Sequence, residues 1–242
     1  MSKGFVEHGQ EVRLGLIVPS SNTNAESLTA AMLSGTPATA VASRFMLPAD
    51  LDAVIDEALL RPAAELVAAA EVSATAFHGT SGSWHGLDGD RALAGALTEA
   101  TGVSTTTASL ATVEAVQALG VEHVALLFPG PAELAHRIAD EYGKLGIDVQ
   151  HCATPDLAMT NQQISRLRED EIRSLIVGAW DGSAEAVVCV GTNLRAGYLL
   201  EEIEAQLGVP VVDSAVATVW ALLRSAGVRS TLSGWGRLMT LG

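Results

Sequence analysis

The sequence predicts an α/β fold of parallel strands, on three observations. Short β-branched runs alternate with Ala/Leu/Glu-rich stretches of helical length, the runs are apolar almost throughout, and the first half of the pattern recurs in the second. Strands apolar on both faces are covered on both faces, as parallel strands joined by crossover helices are. The 242 residues are 48% hydrophobic and 17% charged, which supplies a sizeable core and excludes disorder. Only 4% are aromatic, so Ala, Val and Leu carry the packing.

In chain order, strands are expected near Arg13–Val18, Thr39–Phe45, Ser73–Phe77, Ser104–Thr106, His123–Phe128, Asp148–His151, Ala186–Val190 and Pro210–Val212. Helices are expected between them, near Asn24–Leu33, Leu51–Ala70, Leu87–Thr101, Leu110–Leu119, Pro131–Leu145, Gln163–Trp180, Ala196–Leu207 and Ala215–Ala226. Eight such units also suit a (β/α)₈ barrel, and the internal repeat bears on the choice. Leu14–Pro19 matches Val124–Pro129, Gly79-Thr-Ser matches Gly191-Thr-Asn, and Gly102-Val103 with Ala111-Thr-Val matches Gly208-Val209 with Ala217-Thr-Val. The offsets are 110, 112 and 106. The matching loops end strands 1 and 3 of each half, and open parallel sheets bind ligands at the carboxyl ends of their strands. Two open halves sharing one pseudo-symmetric pocket are therefore preferred to a barrel: 1–115 as the first, with 219–242 packing on it, and 116–218 as the second.

Composition also restricts function. Acidic residues number 28 against 14 basic, a formal charge of −14, which argues against nucleic acid as partner. A small anion is not excluded, because backbone N–H groups bind it regardless of global charge. Two cysteines, Cys152 and Cys189, make neither a disulfide framework nor a Cys-based zinc site. No run reaches the length of a membrane span, and Met1–Gln10 has no signal-peptide core. A soluble, cytoplasmic protein is expected. No histidine or carboxylate pair has zinc-ligand spacing, and Val18-Pro-Ser-Ser-Asn22 lacks the G-x-G of a nucleotide fold, so neither metal nor other cofactor is expected. A homo-oligomer is compatible with all of this.

Four segments carry a more specific resemblance: Gly15-Leu-Ile-Val-Pro-Ser-Ser-Asn-Thr23, Gly79-Thr-Ser-Gly-Ser83, Gly191-Thr-Asn-Leu-Arg195 and Gly234-Trp-Gly-Arg-Leu238. Spread over nearly the whole chain, they resemble the aspartate/glutamate racemase superfamily, and within it the maleate cis–trans isomerases and arylmalonate decarboxylases. The resemblance implies two flavodoxin-like domains, each a four-stranded parallel sheet flanked by helices, with a substrate carboxylate between them. It also implies a cysteine at the tip of each half in racemases and isomerases, and only the second-half cysteine in decarboxylases. This chain departs from both patterns, having Gly79 and Gly191 at those two places. The tyrosine that often follows the strand-5 proline in the isomerases is missing too, the run being Phe128-Pro-Gly-Pro131.

The candidate site residues follow. Thr80 and Ser81, where a strand turns into a helix, offer hydroxyls and N–H groups to a carboxylate or enediolate; the structural alternative is a helix cap. Gly79 admits close approach of a ligand. Gly191, Thr192 and Asn193 mirror them and would hold a second carboxylate or carbonyl. Asn22 can both donate and accept, with a cap again the alternative, and Ser21 is weaker. His78 and His85 flank the first loop and are the candidate proton carriers; His123, His136 and His151 are read as structural. Cys189 is read as buried and apolar. Asp213 is read as capping the last helix, Arg44 as reaching a carboxylate or lying on the surface, and Trp84 as a pocket wall or core residue.

Two-cysteine proton transfer and cysteine addition to a double bond both need a thiol at the tips. Decarboxylation needs one less, since hydrogen-bond donors can stabilise the enediolate. The favoured expectation is therefore a cysteine-independent lyase of the decarboxylase type, with His85, His78 or water returning the proton. A hydrolase or hydratase using histidine-activated water, an isomerase by another route, and a non-catalytic carboxylate-binding protein are the alternatives.

Overall fold

Most strands contain consecutive Val, Leu, Ile or Ala, as in residues 16–18, 124–127 and 186–188. The computed structural model describes residues 11–241; Met1–Gln10 and Gly242 lie outside the described residues. The first half runs β1 (Val12–Pro19), α1 (Ala25–Leu33), β2 (Ala38–Phe45), α2 (Glu57–Ala68), β3 (Ala74–Phe77), α3 (Gly82–His85), α4 (Leu87–Thr101), β4 (Thr105–Thr107) and α5 (Ala108–Ala118). The second runs β5 (His123–Leu127), α6 (Ala132–Gly143), β6 (Asp148–Ala153), α7 (Asn161–Ile164), α8 (Glu169–Ala179), β7 (Ala186–Cys189), a 3₁₀ turn (Ala196–Leu199), α9 (Leu200–Leu207), β8 (Val211–Asp213) and α10 (Ser214–Ser225). Two parallel sheets result, ordered β2-β1-β3-β4 and β6-β5-β7-β8. The chain is thus two open α/β units of one design, and not a barrel.

Two expected helices are corrected. The stretch read as a helix from Leu51 begins only at Glu57, because the Asp56 carboxylate accepts the Leu59 N–H at 2.9 Å and starts the helix there. Residues 46–56 instead form a strap, in which the Leu51 carbonyl accepts Trp84 Nε1 at 3.2 Å. The helix expected over Gln163–Trp180 divides in two, since the Glu171 carboxylate takes the Arg168 N–H at 2.7 Å and opens a second helix. The short α3 was not expected.

Strand tips are capped alike in both halves. Thr107 Oγ1 accepts the Leu110 N–H at 3.1 Å to start α5, and Asp213 Oδ1 accepts the Val216 N–H at 2.9 Å to start α10. The Asp213 cap is as expected. These two helices pack on each other between the sheets: α10 touches β3 and β4 as well as β8, and α5 touches β8 as well as β4. One apolar core consequently runs through both halves, while the outer face of the first sheet has its own cluster of Ile17, Phe45, Leu60, Phe77, Leu93 and Leu97. The Gly-Trp-Gly-Arg motif near the C terminus is held by buried Glu204, whose carboxylate accepts the N–H groups of Val211 and Arg237, each at 2.8 Å. Among the described residues, no helix is long and apolar enough to cross a membrane.

Candidate active site

The carboxyl ends of β1, β3 and β7 bring three loops together. Asn22 lies three residues beyond the end of β1, with its Oδ1 accepting the N–H groups of Asn24 and Ala25 at 2.8 and 2.9 Å. It therefore closes the turn that leads into α1, and with its remaining amide it also crosses to the other half, Nδ2 donating to Thr192 Oγ1 at 2.9 Å. That hydroxyl donates onward to the His78 carbonyl at 3.2 Å. Asn193 Oδ1 accepts the Thr23 N–H at 3.0 Å, and its Nδ2 donates to the Asn161 carbonyl at 3.0 Å. Asn161 Nδ2 donates to Ser21 Oγ at 2.9 Å, closing a polar seam between the halves.

This seam revises the roles expected from sequence. The Thr192 side chain spends its hydrogen bonds on the opposite half, and that of Asn193 is divided between Thr23 across the seam and Asn161 in its own half. Thr80 and Ser81 differ. Among the described residues their hydroxyls have no protein partner, and neither do the backbone N–H groups of Thr80, Ser81, Gly82, Thr192 and Asn193. Unpartnered backbone N–H groups at the carboxyl ends of strands are the kind of donors that bind anions. Ser81 precedes α3 without a side-chain capping bond, so the cap alternative does not account for its hydroxyl.

The two histidines part company. His78 is fully buried, and burial lowers its pKa to about 4, so the imidazole is neutral at pH 7. His85 is exposed, with Nε2 3.3 Å from the Leu51 carbonyl, and it lies beside Trp84, whose ring centre is 5.6 Å from that of Phe128. Trp84 thus stands between α3, the strap and the second half. Arg44 is turned away, onto the Asn22 carbonyl at 2.8 Å and Glu26 at 2.5 Å.

The two glycines are glycines for different reasons. A Cβ at Gly79 would stand 2.6 Å from Phe77 Cε2, and closer to Cζ. At Gly191 nothing lies nearer than Pro129 at 3.7 Å, but φ is +132°, where side-chain-bearing residues are strained. Neither cysteine reaches the loops' open face: Cys152 lies on edge strand β6, and Cys189 is buried inside β7, its thiol pushed up by burial and by the neighbouring Asp213 charge. The sequence reading missed Asn161, whose only local signal is its place after Thr160 in a capping box. It also missed Asp90, which lies behind the first loop.

Comparison with known proteins gives the same frame. The family described as arylmalonate decarboxylase matches residues 14–239. Over 168 residues the chain is 33% identical to an arylmalonate decarboxylase of Bordetella bronchiseptica, spanning 66% of this chain and 68% of that relative. An unliganded arylmalonate decarboxylase structure superposes with a TM-score of 0.80 at 26% identity, spanning 96% of this chain and all of the other. A maleate isomerase of Pseudomonas putida S16, determined with maleate, superposes with a TM-score of 0.85 at 23% identity, spanning 95% and 97%; that likeness is one of fold.

Proposed function

The chain belongs to the arylmalonate decarboxylase family, and we propose that it decarboxylates a small malonate-type acid held between its halves, without using a thiol. The observation that carries this reading is the set of unpartnered donors: the N–H groups of Thr80, Ser81 and Gly82, the hydroxyls of Thr80 and Ser81, and the N–H groups of Thr192 and Asn193. One substrate carboxylate rests on the first loop. When the bond from the α-carbon to the other carboxylate breaks, its electron pair stays on the α-carbon and spreads into the retained carboxylate, and CO₂ leaves. The retained group is then an enediolate with one more negative charge than before, directed at those donors. Loss of one such donor typically costs about 3–4 kcal/mol of transition-state stabilisation. A proton from water or from His85 then closes the α-carbon, a step worth roughly 10²–10⁴-fold when a side chain assists. His78, neutral and enclosed, is assigned to the frame rather than to this step. Glycine at 79 and 191 is read as standing where the isomerases carry cysteine, leaving both loops to bind by backbone.

The test offers 2-aryl- and 2-alkylmalonates, maleate and α-substituted amides, and follows CO₂ and organic products. CO₂ release that falls on Thr80→Ala or Ser81→Ala supports the reading. Fumarate from maleate would replace it with isomerisation, an alcohol or amine with hydration or hydrolysis. Calorimetric binding of malonate with no product from any acid would reduce the protein to a carboxylate binder.

A further inference from the structure

Behind the first donor loop lies a buried carboxyl that the proposed chemistry does not use. Asp90, in the first turn of α4, is 4% exposed. It accepts the Thr107 hydroxyl from the tip of β4, and that same hydroxyl oxygen accepts the Leu110 N–H at 3.1 Å. The Ser109 hydroxyl also favours the charged carboxylate, and Ser109 Oγ accepts the Ser83 N–H at 3.1 Å. The contact with the loop is direct as well: a Cβ at Gly82 would lie 2.5 Å from Asp90 Oδ1, and nearer to Oδ2. Residue 82 is therefore held against the carboxyl, and residue 83 is tied to it through one hydroxyl. In the second half the corresponding carboxyl comes from the strand itself, as Asp213, whose Oδ2 has no protein partner among the described residues.

We propose that Asp90 is a positioning residue for the 80–83 loop, fixing through Ser109 and through its contact with Gly82 the direction in which the Thr80, Ser81 and Gly82 N–H groups point. Its substrate consequence rests on the carboxylate-binding reading above; the coupling itself does not. A carboxylate orders its neighbours by accepting from both hydroxyls, whereas a protonated carboxyl must donate one bond and gives up part of that order. Burial raises its pKa to about 6, against the two hydroxyl bonds. Charged groups on the surrounding elements are engaged elsewhere. Glu57 and Glu65 of α2 pair with Arg61, and Asp88 of α4 pairs with Arg91. His85 of α3 faces Leu51, Glu114 of α5 feels Arg224, and Glu141 of α6 accepts the Leu87 N–H.

The experiment follows backbone amide resonances of ¹⁵N-labelled, ligand-free protein from pH 5 to 7.5, so its outcome is independent of whether malonates bind or react. The Ser83 and Gly82 amides should shift with a midpoint near pH 6 in the wild type and stay flat in Asp90→Asn. Ser109→Ala, which keeps the carboxyl but cuts the link, should abolish the Ser83 shift while the Asp90 side-chain carbon still titrates; this variant decides if Asp90→Asn does not fold. Malonate affinity should fall at least 5-fold in Asp90→Asn and stay unchanged in exposed Asp88→Asn. A Ser83 amide that does not titrate in the wild type, or that titrates equally in both loop variants, overturns the proposal.

Discussion

Gly79→Ala places one carbon where Phe77 already is. The ideal Cβ lies 2.6 Å from Cε2 and 3.1 Å from Cε1 of that ring, whereas ordinary contact begins at 3.4 Å. Against Cε2 alone the shortfall is about 0.8 Å, and the ring has little room to give. It is 1% exposed, with the Phe45 ring edge-on at 5.8 Å and Leu60 and Leu97 in the same cluster. Overpacking of this kind costs about 1–3 kcal/mol. The lost freedom of the unfolded chain returns about 0.4–1 kcal/mol, and residue 79 is not among the positive-φ glycines, so no backbone strain is added. The net expectation is a loss of about 1.3 kcal/mol, taking the middle of each range. Urea unfolding of the wild type, Gly79→Ala, Phe77→Leu and the double variant measures it. In the Phe77→Leu background the alanine should cost almost nothing, giving a coupling energy of about 1 kcal/mol or more. Equal losses in both backgrounds, or no loss in the wild type, would refute the steric account.

Gly191→Ala has space but the wrong φ, and should cost about 1–3 kcal/mol whatever stands at Pro129; a neutral result in thermal unfolding would contradict the +132° backbone. Cys152→Ser should leave turnover of any malonate substrate unchanged in steady-state kinetics, since that thiol lies on edge strand β6; a loss beyond about 10-fold, or 1.4 kcal/mol, would place it in the reaction after all. Glu204→Ala orphans the Val211 and Arg237 N–H groups and should destabilise by about 2–4 kcal/mol, with limited proteolysis cutting first in the segment after α10. Acid should stabilise the fold between pH 7 and 5: Asp90 and Asp213, with pKa about 6, hold protons that the unfolded chain releases, while His78, at about 4, opposes them by refusing one the unfolded chain takes up. Asp213→Asn should cancel that rise, since it leaves Asp90 alone against His78, read from urea midpoints at pH 5, 6 and 7.

The succession of strands, their parallel pairing and the halves' common design were legible because apolar runs and their spacing are local facts. Helix starts were less so. Leu51, Val54 and Ile55 have helical spacing, yet the strap is fixed by its tie to Trp84, a contact that spacing does not encode. The place of Thr80 and Ser81 where a strand gives way to a helix was readable. That Thr192 and Asn193 are committed to the seam was not, because their partners lie 170 residues away in Asn22 and Thr23. By sequence position alone Asp90 is an ordinary first-turn acid, favourable to the helix dipole. Only the closeness of β4, α5 and Gly82 makes it a buried one.

The crossing of α10 onto the first sheet also bears on how the protein is made. Ser214 follows Phe77 by 137 residues, so synthesis at about 5–20 residues per second leaves β3 without its covering helix for roughly 7–30 s. Over that interval the nascent first half presents the apolar face formed by Leu14, Leu16, Ala74 and Ala76, a surface of the kind that chaperones bind. The second half has no such wait, because α5 has been synthesised before β8 is.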